Sequence, residues 1–326
     1  MAGDGGTRAV VAALLANVGI AITKFAAYLL ARNSSMLAEA IHSVADSGNQ
    51  VLLLLGGKRS RREATPEHPF GYGRERYVYS FLVSIVLFSV GGLFALYEAY
   101  HKFHEVRLGH EGAVHGWKAY VPVVVLVVAI CLEAMSFRTA IHETGKIKGK
   151  ASYPQFVRRA KQPELPVILL EDFAALLGLA FALVGVGMSL ITGNHYWDAA
   201  GTAFIGLLLV SVAIVLAIET KSLLLGESAT PEAQARIVEA LAASPGVDRV
   251  IHIKTMHLGP EELLVAAKIG VVPTRHADEV ARAIDDAERA VRAAEPTARV
   301  VYLEPDIYRE DYTPSERPAP PEPAGH

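Results

Sequence analysis

Cysteine is close to absent: Cys131 is the only one in 326 residues. A lone thiol excludes a disulfide framework and any metal site built on several thiolates. Charge of one sign is missing as well. Lys and Arg number 31 against 34 Asp and Glu, a net charge of −3. That balance gives no basic surface for a nucleic-acid backbone. Charged residues of both signs make up 20% of the chain, below the roughly 25% of an ordinary soluble domain. The opening "MAGDGGTR" has no basic n-region followed by a cleavage site, so the first apolar run does not read as a cleaved signal.

Apolar length stands in place of what is missing. Hydrophobic residues make up 52% and the mean hydropathy is +0.29. Six runs, at about 9–31, 36–57, 77–100, 119–141, 165–192 and 198–220, reach the roughly 20 residues that cross a bilayer core. An even number puts both termini on one side. The loops after the second and fourth runs hold twelve Lys and Arg, from Lys58 to Arg76 and from Lys146 to Lys161. Their counterparts hold four: Arg32, Lys102, Arg107 and Lys118. Basic loops stay inside, so the reading is an integral, multi-pass membrane protein in contact with lipid. Both termini are cytoplasmic, in the inner membrane if the cell is bacterial.

The transmembrane domain is expected over residues 1–225. A second pattern, a cytoplasmic α+β domain, occupies 226–308. "TPEAQARIVEALAASPG" carries a Thr cap, a Pro at the first helical position and a closing Gly246. Two strand-like runs, "VDRVIHIKTMHLG" and "ELLVAAKIGVV", follow. An amphipathic helix "RHADEVARAIDDAERAVRAA" and a last strand "ARVVYLEP" complete the order helix–strand–strand–helix–strand. Two layers with an antiparallel sheet are the expected packing. The Pro-rich tail, 309–326, is expected to be disordered.

The second run is the least apolar, and its polar residues are placed in order. Glu39, His42, Asp46 and Asn49 are spaced by three, four and three, one face of a helix. Ionisable groups in a bilayer cost roughly 2.5–3.5 kcal/mol each on insertion scales. A helix carries them only where they face a polar interior or bind something. His42 and Asp46, one turn apart, have the spacing by which one helix offers two ligands to one divalent cation. The alternative is an interhelical hydrogen-bond cluster. Possible partners on other runs are Glu171 and Asp172 on the fifth, Glu133 on the fourth and Asn17 on the first. For Glu133 and Asn17 a purely structural role competes with a ligand role.

Six spans, "LAEAIHSVADSGNQ", the loop "HPFGYGRER" and "YWDAAGTAFIGLLL" together resemble the cation diffusion facilitator family, over about residues 9–305. The resemblance implies a homodimeric transporter of zinc or a related divalent metal that exchanges metal for protons. It also implies a tetrahedral site with two ligands each from the second and fifth spans. His42 and Asp46 match the second-span ligands. The fifth span departs from the pattern: with Asp172 as one ligand, the position four residues away is Ile168 or Leu176. Glu171 is the neighbour able to supply the missing group, so the expected metal set is His42, Asp46, Glu171 and Asp172. Two further metal positions of relatives are only partly filled here. His68 matches one, but Thr65 and Tyr72 stand where a carboxylate and a second His are expected. His276 and Glu304 match another.

The expected function is therefore metal/proton exchange, with net export from the cytoplasm as the family's direction. The cation is transported rather than permanently bound. Zinc fits His plus carboxylate best, and Fe2+, Mn2+ and Co2+ use the same donors. The outer loop adds His101, His104, His110 and His115, either a metal-catching cluster or plain surface. Without HExxH or a third ligand beside a positioned base, a metallohydrolase is disfavoured and the chain is not expected to be an enzyme. A membrane scaffold or metal sensor without transport is the alternative.

Overall fold

The structure, a computed structural model, describes residues 2–31, 34–109, 120–272 and 276–308. Side chains are described for all of these except 2–5, 30–31, 34–42 and 45. The chain divides into two compact units between Leu225 and Gly226.

The first unit is helical. α1 runs Ala2–Ala31, α2 Ser34–Arg59, α3 Glu75–Val86 and α4 Phe94–Leu108. They are followed by α5 Val121–Ile147, the short α6 Tyr153–Arg159, α7 Glu164–Thr192 and α8 Tyr196–Leu225. Among the described residues, five helical stretches are long and apolar enough to cross a membrane. One is the 34-residue rod Glu75–Leu108 formed by α3 and α4 together. α2, with 26 residues, is equally long but is set apart by the polar groups in its middle. Side chains such as Leu15, Ile22, Ile191 and Ile218 face outward from the bundle, as a lipid solvent requires.

α3 and α4 are joined by a π-helical segment, Leu87–Leu93, an irregularity that periodicity in sequence does not reveal. Such wide turns are rare and often sit at functional positions. Here the rod crosses α8 closely. A Cβ on Gly92 would lie 2.6 Å from Val210 Cγ2, and one on Gly206 would lie 2.9 Å from the Leu96 backbone nitrogen. Only residues without a side chain permit that approach. α6 was not expected from hydropathy. Its signal is a capping box: Ser152 Oγ accepts from Gln155 N–H at 3.4 Å, and Gln155 Oε1 accepts from Ser152 N–H at 3.1 Å.

Inside the bundle, α1 packs on α2 and α5, α5 on α7, and the α3–α4 rod on α8. The core draws Val10, Leu53, Val83, Leu165, Ile168 and Leu216 from five of these helices. At one end of the bundle the Arg76 guanidinium grips the Glu164 carboxylate, with Arg76 Nη2 2.8 Å from Glu164 Oε2. Arg76 belongs to the "GYGRER" loop motif, and this two-pronged contact ties α3 to the first turn of α7.

The second unit follows the expected order: α9 Pro231–Ala242, β1 Arg249–Gly259, β2 Glu262–Gly270, α10 Ala277–Ala294 and β3 Val300–Asp306. Thr230 caps α9 by accepting from Ala233 N–H at 3.3 Å. The sheet corrects one expectation. β1 and β2 form an antiparallel hairpin, but β3 pairs parallel with β2, from Leu264↔Val300 to Gly270↔Asp306. The intervening α10 carries the chain back to the starting end of β2, and a crossover of that kind makes a parallel neighbour. Ile237, Leu241, Leu263, Val265, Ile269 and Val291 fill the core between helices and sheet.

Candidate functional site

A cavity of about 170 Å³ lies within the helical unit, lined by residues of α1, α2, α5, α7, α8 and the α3–α4 rod. Asn17, Lys24, Ser43, Asp46, Glu133 and Glu171 contribute its polar lining together with a second group formed by Glu98, Lys102, Asp198 and Thr202. The charged residues thus sit on apolar helices but face inward, where they avoid the cost of contact with lipid.

The groups meet through specific bonds. Glu171, buried on α7, accepts from Asn49 Nδ2 at 2.9 Å and from Gln50 Nε2 at 3.1 Å. Gln50 in turn accepts from Asn17 Nδ2 at 3.2 Å. Two α2 amides and one α1 amide therefore orient a single carboxylate, each of whose oxygens retains a free lone pair. Asp172, only 1% exposed, accepts from Ser136 Oγ at 2.7 Å and lies alongside the Glu133 carboxyl. Adjacent residues on a helix point about 100° apart. Glu171 faces α2 and the cavity, whereas Asp172 faces α5.

Of the four expected metal residues, Asp46 and Glu171 line the same cavity, and Asp172 lies behind that lining beside Glu133. The backbone of His42 lies in α2, but its side chain is outside the described residues. Among the described residues, no three His, Cys, Asp or Glu side chains converge closely enough to hold a metal ion. Ile168, four residues before Asp172, is fully buried in the apolar core. Gln50 and Ser136 are functional neighbours that the sequence does not flag. Gln50 stands next to the polar stripe rather than on it, and a single Ser in an apolar run carries no signal.

The secondary positions are occupied differently. His68 packs at a tilt against Tyr72 with ring centroids 4.6 Å apart, and the Arg62 guanidinium lies 5.2 Å over the same ring. Glu304 is paired with Lys268 at 3.0 Å, and His276 N–H donates to Glu279 Oε2 at 3.2 Å. His101 and His104 are on α4, each near the ring of Tyr100. His110 and His115 are outside the described residues.

A family model, the cation efflux transmembrane domain, matches residues 10–225. The chain belongs to the cation diffusion facilitator family. Family membership and the apolar helices together make it an integral, multi-pass membrane protein. It is 32% identical over 265 residues to the human proton-coupled zinc antiporter SLC30A9, mitochondrial, covering 77% of this chain. The chain spans only 44% of that relative's length. Magnetosome protein MamM of Paramagnetospirillum magneticum is 27% identical over 291 residues, covering 85% of this chain and 80% of MamM. A solved MamM C-terminal domain, in a nickel form, is 24% identical over 24% of this chain and all of that one, at a TM-score of 0.24.

Proposed function

We propose that this facilitator exchanges a divalent cation, zinc first among them, for protons across the membrane. The observation that supports it most is that Asp46 and Glu171, from two apolar helices, line one cavity while neighbouring amides orient the Glu171 carboxylate. Amide donors that hold a carboxylate in position serve a ligand as outer partners do in metal sites. In this reading His42 and Asp46 bind from α2. Glu171 binds from α7, and Asp172, held by Ser136 and beside Glu133, supports it from behind. Metal binding needs deprotonated ligands, so protons arriving at the same groups release the cation. His42 suits that competition because an ordinary imidazole titrates near neutral pH. The termini and the unit from about 226 to 308 are cytoplasmic. That unit serves dimerisation, and net movement is out of the cytoplasm. The chain performs no covalent chemistry.

A scaffold or sensor without transport is the second reading, and the burial of Ile168 where a ligand is expected favours it. Proteoliposomes carrying a zinc-sensitive dye and a pH dye separate the two. Saturable zinc uptake with opposite proton movement, lost in Asp46→Ala and in Glu171→Gln, is the expected result. Folded protein that moves no divalent metal returns the assignment to a scaffold or sensor.

A further inference from the structure

Among the described residues, two buried side-chain oxygens have no hydrogen-bond partner: Asn49 Oδ1 and Thr144 Oγ1. The Thr144 hydroxyl can rotate about its bond, and the residue lies in the closing turns of α5. Asn49 has no such freedom. Its side chain is 1% exposed, and Nδ2 donates to Glu171 Oε1 at 2.9 Å. Turning the amide over would set Oδ1 against a carboxylate whose other oxygen already accepts from Gln50. With Glu171 ionised, as metal binding requires, the donor side of the amide is fixed toward it, and the carbonyl is fixed with it. Amide bond lengths then hold Oδ1 within about 5 Å of Glu171 Oε1. Asp46 lies three residues earlier on the same helix face.

A buried carbonyl oxygen without a donor costs free energy that native structures rarely leave uncompensated. This one stands beside Glu171, whose carboxylate lines the cavity, and a cation bound to that carboxylate would satisfy it. We infer that Asn49 Oδ1 is a further oxygen ligand for the transported cation and that it sets the metal preference. The inference rests on the transport reading above and adds a residue that selects among metals.

The chemistry of the donor gives the direction. An amide carbonyl is a neutral, hard oxygen. It raises the number of oxygen donors without adding charge. Mn2+ favours oxygen-rich surroundings, whereas zinc is satisfied by four donors that include imidazole. Asn49 therefore favours manganese relative to zinc, and its loss narrows the site to zinc.

The test uses the full chain in lipid nanodiscs. Binding of Mn2+ and Zn2+ is measured by calorimetry, with metal-free melting as a fold control. Asn49→Ala is expected to weaken both metals, because Glu171 loses a donor, and to weaken Mn2+ by about tenfold more than zinc. Asn49→His keeps an N–H for Glu171 and replaces the oxygen by a ring nitrogen, so it shifts the zinc-to-manganese ratio further toward zinc. If Asn49→Ala does not fold, the ratio in Asn49→His decides. Equal weakening of both metals makes Asn49 a positioning residue for Glu171 and overturns the inference. Unchanged binding of both means that water satisfies Oδ1, and this too overturns it. Asp46→Ala separates the two levels: retained binding and transport there overturn the site itself, not only the role of Asn49.

Discussion

Ser136 Oγ donates to Asp172 Oδ2 at 2.7 Å, joining α5 to α7 at a point where both are buried. The bond gives the Asp172 carboxyl a fixed donor in a setting that water does not reach. Ser136→Ala is expected to destabilise the bundle by about 1–3 kcal/mol, the cost of leaving a buried acceptor short of its donor. Ser136→Thr, which keeps the hydroxyl, is expected to recover most of it. Melting curves in one detergent compare the three proteins.

Gln50 acts on Glu171 from outside the cavity lining. It donates to the carboxylate at 3.1 Å and accepts from Asn17 at 3.2 Å. Gln50→Leu removes both contacts at once. Zinc affinity is expected to fall by about 10–100-fold, the range seen when the partner of a metal ligand is lost. Calorimetry on the purified variant gives the number, and an unchanged affinity shows that Glu171 is not a ligand.

Lys102 Nζ lies 3.1 Å from Asp198 Oδ2, 3.6 Å from Glu98 Oε1 and 3.1 Å from Thr202 Oγ1, and all four residues line the cavity. One ammonium holds α4 to α8 there. Lys102→Met removes the ammonium with which both carboxylates pair, and this contact loosens. In a Cys131→Ala background, Thr202→Cys is expected to react faster with a membrane-impermeant thiol reagent once Lys102 is replaced. Equal labelling rates show that the ion pair does not restrict access.

Gly206 has no room for a side chain, since a Cβ would lie 2.8 Å from Leu96 Cγ and 2.9 Å from the Leu96 backbone nitrogen. Gly206→Ala therefore forces the α3–α4 rod away from α8, at a cost of about 1–3 kcal/mol for overpacking. Gly187→Ala meets nothing within 4 Å and is expected to be neutral or mildly stabilising. Melting of the two variants side by side checks the contrast.

In the second unit, burial alone would raise the Glu295 carboxyl. Hydrogen bonds from Thr297 and the Arg236 guanidinium outweigh it and hold the group below the ordinary carboxylate value. A depressed carboxylate stabilises the fold above its unfolded pKa, about 4.3 for Glu, and that contribution is lost as pH falls through the folded value. Protection against amide exchange, relative to the unfolded chain at the same pH, is expected to fall in α9 and in the turn before β3 between about pH 5 and pH 3. Glu295→Gln removes that dependence, and the same acid response in the variant assigns it elsewhere.

Much of the fold is written locally. A stretch of apolar residues long enough for a bilayer must become a helix, because lipid offers the backbone no other hydrogen-bond partner. The spans are legible for that reason, and so is the order helix–strand–strand–helix–strand, with Thr230 capping α9. The unusual composition of α2 is legible too, since charge within such a helix stands out against its neighbours. Other features are decided only by how the elements meet. Glu171 and Asp172 are adjacent in sequence, yet rotation about α7 aims one at the α2 amides and the other at Ser136 and Glu133. The roles of Gln50 and Ser136, the π segment at Leu87–Leu93, the cavity's second charged group around Lys102 and the parallel pairing of β3 all depend on contacts between distant parts of the chain. Hydropathy and helical spacing report which residues share a face. Which neighbour that face meets, and at what depth, is set by packing, and there the tertiary structure alone supplies the answer.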